Sequence, residues 1–151
     1  MSGSDQSAVV KPIPKPDHIP LVAIVDDDES LRSSARMLVN SFGFRAEALA
    51  SAKALLQWPG LDEASCLILD VFMPDMSGFE LQRRLRWIHR EIPIIFITAH
   101  ATEENERHAL GAGAVALLKK PVADDILLAA LRRALAADSL GGSRATPESN
   151  P

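Results

Sequence analysis

Short apolar runs that alternate with segments of helical period predict an α/β fold over the middle of this 151-residue chain, a parallel sheet with helices on its faces. Three observations carry the prediction. The runs lack regular polar alternation, as strands covered on both faces do. The segments between them place leucines three and four residues apart, and turn residues collect in the gaps. Five β-α units can be counted.

The first run is Leu21 to Val25, and after it Leu31, Ala35 and Leu38 recur at helical spacing. Phe44 to Leu49 is the second run, and Pro59-Gly60 marks a turn before the third, Cys66 to Leu69. A second turn signal spans Pro74 to Gly78, after which Leu81, Leu85 and Ile88 form one buried stripe. Ile92 to Ile97 is the fourth run. Gly111-Ala112-Gly113 precedes the fifth, Ala114 to Leu118, and Leu127, Leu128, Leu131 and Leu135 mark the closing helix.

Flanking segments read differently. Residues 1–19 carry Pro12, Pro14 and Pro16, which favour extended chain, and are expected to be a flexible arm. Residues 137–151 have too little apolar surface to offset the entropy of ordering and are expected to be a disordered tail. That leaves one domain, residues 20–136.

A net charge of -4 argues against a nucleic-acid footprint, since sequence-independent DNA affinity comes from Lys and Arg neutralising phosphates. No apolar stretch approaches the roughly 20 residues of a spanning helix, and no secretory leader pattern is present. The expected compartment is the cytoplasm. The single cysteine, Cys66, lies inside the third apolar run and is assigned to core packing.

In open parallel sheets, ligands bind outside the carboxyl ends of the strands, so the residues that follow each run matter most. Asp26-Asp27-Asp28-Glu29 follows the first, Asp70 the third, Thr98 the fourth and Lys119-Lys120-Pro121 the fifth. Crowded carboxylates repel and become comfortable only with a cation between them. Hard oxygen ligands with room for water and a phosphoryl oxygen suit Mg²⁺. An ammonium from Lys120 would add a second positive charge, and metal plus ammonium stabilise the charge spread over a phosphoryl group in transfer. Asp70 would be the nucleophile, because an ionised carboxylate forms an acyl phosphate without a general base. Thr98 could donate a hydrogen bond to the product.

Other polar residues have plainer assignments. Asp28 and Glu29 suit a helix start, one capping and one favouring the positive dipole end. Lys119 reads as solvated. His100 and His108, eight residues apart with no cysteine cluster, fall short of a zinc pattern and read as surface histidines. Trp58 and Trp87 read as packing or partner contacts near helix ends.

Val25-Asp26-Asp27-Asp28, Leu69-Asp70-Val71-Phe72-Met73-Pro74-Asp75-Met76-Ser77-Gly78, Ile97-Thr98-Ala99 and Lys120-Pro121, in that order, resemble the receiver domain of bacterial two-component response regulators across about residues 20–136. The resemblance implies a flavodoxin-like (βα)5 three-layer sandwich with strand order 2-1-3-4-5. It implies metal binding by Asp26, Asp27, Asp70 and the backbone carbonyl of Phe72, phosphorylation of Asp70, and phosphate contacts from Thr98 and Lys120 across a cis Lys120-Pro121 bond. A sensor histidine kinase or phosphotransfer protein would be the donor, and a downstream protein, an output domain or a second copy in a homodimer the target. The only chemistry would be Mg²⁺-dependent self-phosphorylation and slow self-dephosphorylation.

Two positions depart from the family pattern. Leu117 stands where an aromatic residue usually follows the threonine inward, and Phe72 stands where a polar residue would help position attacking water. The first leaves the aromatic readout open, and the second is expected to affect phosphoryl lifetime. Three alternatives compete with that reading. A receiver portion of a longer DNA-binding regulator is one, although the Pro-ended tail favours a stand-alone domain. A phosphohydrolase would want a second carboxylate where Phe72 stands. A structural pseudo-receiver would be expected to lose some of the five site residues, and all five remain.

Overall fold

A computed structural model describes residues 19–145. Five parallel strands alternate with five α-helices: β1 (Leu21–Val25), α1 (Glu29–Ser41), β2 (Arg45–Leu49), α2 (Ala52–Leu56), β3 (Cys66–Asp70), α3 (Gly78–Trp87), β4 (Ile94–Thr98), α4 (Glu103–Gly111), β5 (Ala116–Lys119) and α5 (Asp124–Ala145). A 3-10 turn over Pro59–Glu63 precedes β3. The sheet order is β2-β1-β3-β4-β5, and every pairing is parallel, as the flavodoxin-like expectation requires.

Alternation along the strands divides the core in two. Ala23, Val25, Leu67, Leu69, Phe96 and Leu117 face one side, where α2, α3 and α4 supply Leu55, Leu81, Leu85 and Ala109. Val22, Ile24, Cys66, Ile68, Ile95 and Ala116 face the other, covered by Val39 of α1 and Leu127, Ala130, Leu131 and Ala134 of α5. Cys66 is thus core, as assigned. Each large side chain buried in this way is worth about 1.5–3 kcal/mol. The central strands β1 and β3 are buried at every position, which is why their runs show no polar alternation.

Local chemistry starts the helices. Asp28, Ser51, Ser77 and Thr102 each accept a hydrogen bond from the backbone N–H three residues on, at 3.1, 3.0, 3.0 and 3.0 Å, capping α1 to α4. Gly43 and Gly113, at φ 100° and 102°, release the chain after α1 and α4 in the left-handed region.

Several expected boundaries shift. Leu31 is exposed and Val39 takes its place in the buried stripe, because Leu31 lies in the first turn of α1, beyond the end of the sheet. Ile88 caps α3 and is likewise exposed. β4 begins two residues after the expected start, at Ile94, past Pro93, and runs on through Thr98. β5 starts at Ala116, two residues late.

The segment expected to be tail from residue 137 begins inside α5, which continues to Ala145. Ala134, Leu135, Ala136 and Ala137 are strong helix formers and no proline intervenes before Pro147; the two glycines at 141 and 142 cost only about 1 kcal/mol each. The remainder of the expected tail, 146–151, and residues 1–18 of the expected arm lie outside the described residues. Among the described residues no helix is long and apolar enough to cross a membrane.

Candidate phosphoryl and metal site

Parallel register brings the C-terminal ends of β1, β3, β4 and β5 to one edge. Val25 pairs with Leu69, Asp70 with Ile97, and Thr98 with Lys119, so Asp26, Asp70, Thr98 and Lys120 all fall within one residue of that edge. Asp26, Asp70 and Thr98 are buried, whereas Asp27 is exposed.

Carboxylate oxygens of Asp26, Asp27 and Asp70 lie within 4.8 Å of one another. Lys120 Nζ donates to Asp70 Oδ2 at 2.9 Å and to Asp26 Oδ2 at 3.1 Å. Burial opposes the charge on this ammonium, but hydrogen bonds from it to Asp70 and Asp26, and their negative charges, outweigh that cost and hold Lys120 above the ordinary lysine range. Three carboxylates against one ammonium leave two uncompensated negative charges in a cluster of hard oxygens. A divalent cation fits that donor set.

Two of the three carboxylates are held by nearby backbone. Asp26 Oδ1 accepts from the Asp28 N–H at 2.9 Å, and Asp70 Oδ1 accepts from the Phe72 N–H at 3.1 Å. Those bonds occupy one oxygen of each residue and leave Oδ2 turned to Lys120. Thr98 Oγ1 accepts from the His100 N–H at 3.0 Å, so its proton stays available for donation. The Lys120 N–H donates to the Thr98 carbonyl at 2.9 Å, which ties the end of β5 to that of β4, and the Lys120-Pro121 bond is cis, as expected.

Asp28 and Glu29 occupy the cap and first turn of α1, as assigned, and Lys119 is exposed. Leu117 is buried against the α2–α4 side of the core. Trp58 packs partly against that same side, whereas Trp87 is exposed at the end of α3. His108 is exposed and its ring lies 4.4 Å from that of Phe79.

Three supporting features were not read from the sequence. Arg32 Nη1 donates to the Asp26 carbonyl at 2.8 Å; its place six residues on gives no pattern to read. Gly78, noted only as part of a turn, opens α3 so close to the third strand that a Cβ would meet the Asp70 carbonyl oxygen at 2.5 Å and the Phe96 ring at 2.9 Å. The rings of Phe72 and His100 meet edge to face, with centroids 5.6 Å apart, a contact between separate loops that linear sequence does not show.

With this geometry stand the comparisons. The family model described as Response regulator receiver domain matches residues 22–132. Response regulator protein TmoT of Ectopseudomonas mendocina is 42% identical over 115 residues, covering 76% of this chain and 52% of TmoT. Transcriptional regulatory protein FixJ of Rhizobium meliloti is 38% identical over 113 residues, covering 75% of this chain and 55% of FixJ. The solved structure of response regulator StyR superposes with a TM-score of 0.78 at 39% identity, covering 87% of this chain and 67% of that one. The chain spans about half the length of the curated relatives it matches.

Proposed function

The chain belongs to the response regulator receiver domain family, and from that premise we propose that Asp70 accepts a phosphoryl group and that the aspartyl phosphate switches a partner-binding face. The observation that carries the reading is the convergence of Asp26, Asp27 and Asp70 on one cation-sized cluster, with the Lys120 ammonium 2.9 Å from Asp70.

Chemically, Asp70 Oδ2, released by Lys120, attacks phosphorus in the donor, a phosphohistidine of a sensor kinase or phosphotransfer protein. The P–O bond forms as the P–N bond breaks, and the imidazole departs neutral, keeping the proton already on its other ring nitrogen. No base is required, because the carboxylate is already ionised. Lys120 gives up its bond to Asp70 and holds a phosphoryl oxygen, and the Thr98 hydroxyl donates to another. Mg²⁺, held by Asp26, Asp27, Asp70 and the Phe72 carbonyl, would supply positive charge against the phosphoryl oxygens.

The functional unit is residues 20–136, working in the cytoplasm. Its chemistry is confined to gaining and slowly losing its own phosphoryl group. Phosphorylation must bind one of two states better to shift their populations, and Thr98, at the head of the β4-α4-β5 region, is the group that meets the phosphate. The output is a downstream protein, a second copy or a linked domain, with no direct nucleic-acid contact by the receiver itself.

Incubation with acetyl phosphate and Mg²⁺, followed by intact mass, tests the reading. One phosphoryl adduct is expected, absent with a chelator and absent in Asp70→Asn. An unmodified native chain would overturn it, and steady turnover of a phosphate ester would replace it with a hydrolase.

One further reading has an observation of its own. FixJ of Rhizobium meliloti is named a transcriptional regulatory protein, and 38% identity to part of it supports a receiver whose output is transcriptional control.

A further inference from the structure

The end of α3 and the residues after it read Arg83-Arg84-Leu85-Arg86-Trp87-Ile88-His89-Arg90, four arginines and a histidine with no acid among them, in a chain of net charge -4. Two of the arginines have carboxylate partners: Arg84 lies 3.4 Å from Glu80 and Arg90 2.7 Å from Asp62. Arg83 and Arg86 meet no carboxylate among the described residues. Trp87 lies one turn past Arg83 on the same helix face. At 84% exposed, it is the most exposed large apolar side chain among the described residues. The helix dipole favours basic residues at a C-terminus, but it gives no reason for an indole in solvent. Arg83, Arg86, Trp87 and His89 together line a surface hollow of about 600 Å³.

The hollow is held in shape from beneath. Arg86 Nη2 donates to the Ala112 carbonyl at 2.6 Å, and buried Gln82, one turn earlier, donates Nε2 to the same oxygen at 3.2 Å. These bonds tie the end of α3 to the end of α4 and leave the rest of the Arg86 fork to a ligand. His89 follows in the left-handed region at φ 61°, its N–H donating to the Arg86 carbonyl at 3.0 Å and the Arg90 N–H to the Leu85 carbonyl at 2.8 Å. Glycine is the usual residue at such a helix exit; here an imidazole stands in its place and lines the hollow.

We propose that this end of α3 is a docking surface for an acidic segment of a partner protein, which sets an apolar side chain on Trp87 between carboxylates that pair with Arg83 and Arg86. The surface is separate from the phosphoryl site. α3 starts at Gly78 against the Asp70 carbonyl and, ten residues on, ends about 15 Å away. The proposal therefore stands whatever the role of Asp70. Charge complementarity selects the occupant. Guanidinium groups take carboxylates in planar two-point pairs, and Trp and Arg are the residue types that anchor protein interfaces. Nucleic acid is a poor occupant, because two arginines in an acidic chain neutralise too little of a phosphate backbone. A DNA-binding domain would bring like charge, since its own contact surface is basic.

A display library of short random peptides, selected on the full chain and counter-selected on Trp87→Ala, tests the proposal. Recovered peptides should carry Asp or Glu on both sides of an aromatic or large aliphatic residue. Made synthetically with a fluorescein label and followed by anisotropy, they should bind Trp87→Ala and Arg83→Ala each about tenfold more weakly than the native chain. Replacing their Glu and Asp by Gln and Asn should cost as much. Arg83 is the arginine to remove, because loss of Arg86 would also release the Ala112 carbonyl. Both replaced side chains are exposed, so urea midpoints should stay at the native value and separate a lost surface from a damaged fold. Recovery of peptides without acidic residues, or of none whose binding needs Trp87 and Arg83, would overturn the proposal. Equally tight binding of a labelled single-stranded oligonucleotide would overturn it by showing an unselective anion patch. Self-association of the native chain in sedimentation, abolished by Trp87→Ala, would overturn it in favour of a second copy as the occupant.

Discussion

At Lys120 an ammonium 2.9 Å from Asp70 and 3.1 Å from Asp26 separates two buried carboxylates that would otherwise face each other. Removing it exposes their repulsion, since breaking a buried pair costs far more than the pair is worth. Lys120→Met should lower stability by about 2 kcal/mol in chelator and regain part of that with Mg²⁺, read from urea midpoints. The pH dependence has a definite sign. A lysine whose folded pKa is raised stabilises fully below its unfolded value of 10.5 and loses that contribution as pH climbs through the higher folded value. The native chain should therefore show no loss from this group across neutral pH, and Lys120→Met should remove an alkaline step. At this scale the sequence was legible where chemistry is concentrated: Asp26, Asp27, Asp70, Thr98 and Lys120 could all be read from the ends of apolar runs. Arg32 could not, because its hydrogen bond goes to a carbonyl, and a carbonyl has no residue signature.

Strand ends position the site, and helix starts lock it. The periodicity of apolar residues was enough to count five strands, because β1 and β3 are buried on both faces and carry no polar residue before Asp70 at the end of β3. It placed the edges of the later strands two residues off, because Pro93 and the Gly111–Gly113 turn let apolar residues continue outside the ladder. α5 runs past residue 136 to Ala145, a course that the weak apolar content of that segment does not signal. The most sensitive junction is between β3 and α3. Gly78 N–H donates to the Val71 carbonyl at 2.7 Å, and its Cα faces the Asp70 carbonyl with no space for a methyl group. Gly78→Ala must push apart a backbone oxygen and an aromatic ring, neither of which yields cheaply. A loss of about 1–3 kcal/mol is expected in urea unfolding, with slower uptake of phosphate from acetyl phosphate because Asp70 moves with its strand. Unchanged stability and uptake would show that α3 gives way instead.

Across the whole molecule, two helical layers cover the sheet and leave the carboxyl edge as the place where buried charge meets solvent. The family pattern sets an aromatic residue where Leu117 stands, and the leucine packs into the core beside α4 rather than presenting a ring that could swing between two positions. On the proposed function, output is read from Thr98 through the following loop, whose His100 N–H donates to Thr98 Oγ1 and whose His100 carbonyl accepts from Asn105 of α4. All of this depends on which carboxylate bears the phosphate. Borohydride reduction of the phosphorylated chain converts an aspartyl phosphate to homoserine, and peptide mass spectrometry then locates it. The account predicts homoserine at residue 70 alone, formed only when Mg²⁺ was present during phosphorylation. Homoserine at Asp26 or Asp27, or none in a chain that carried the phosphoryl adduct, would contradict it.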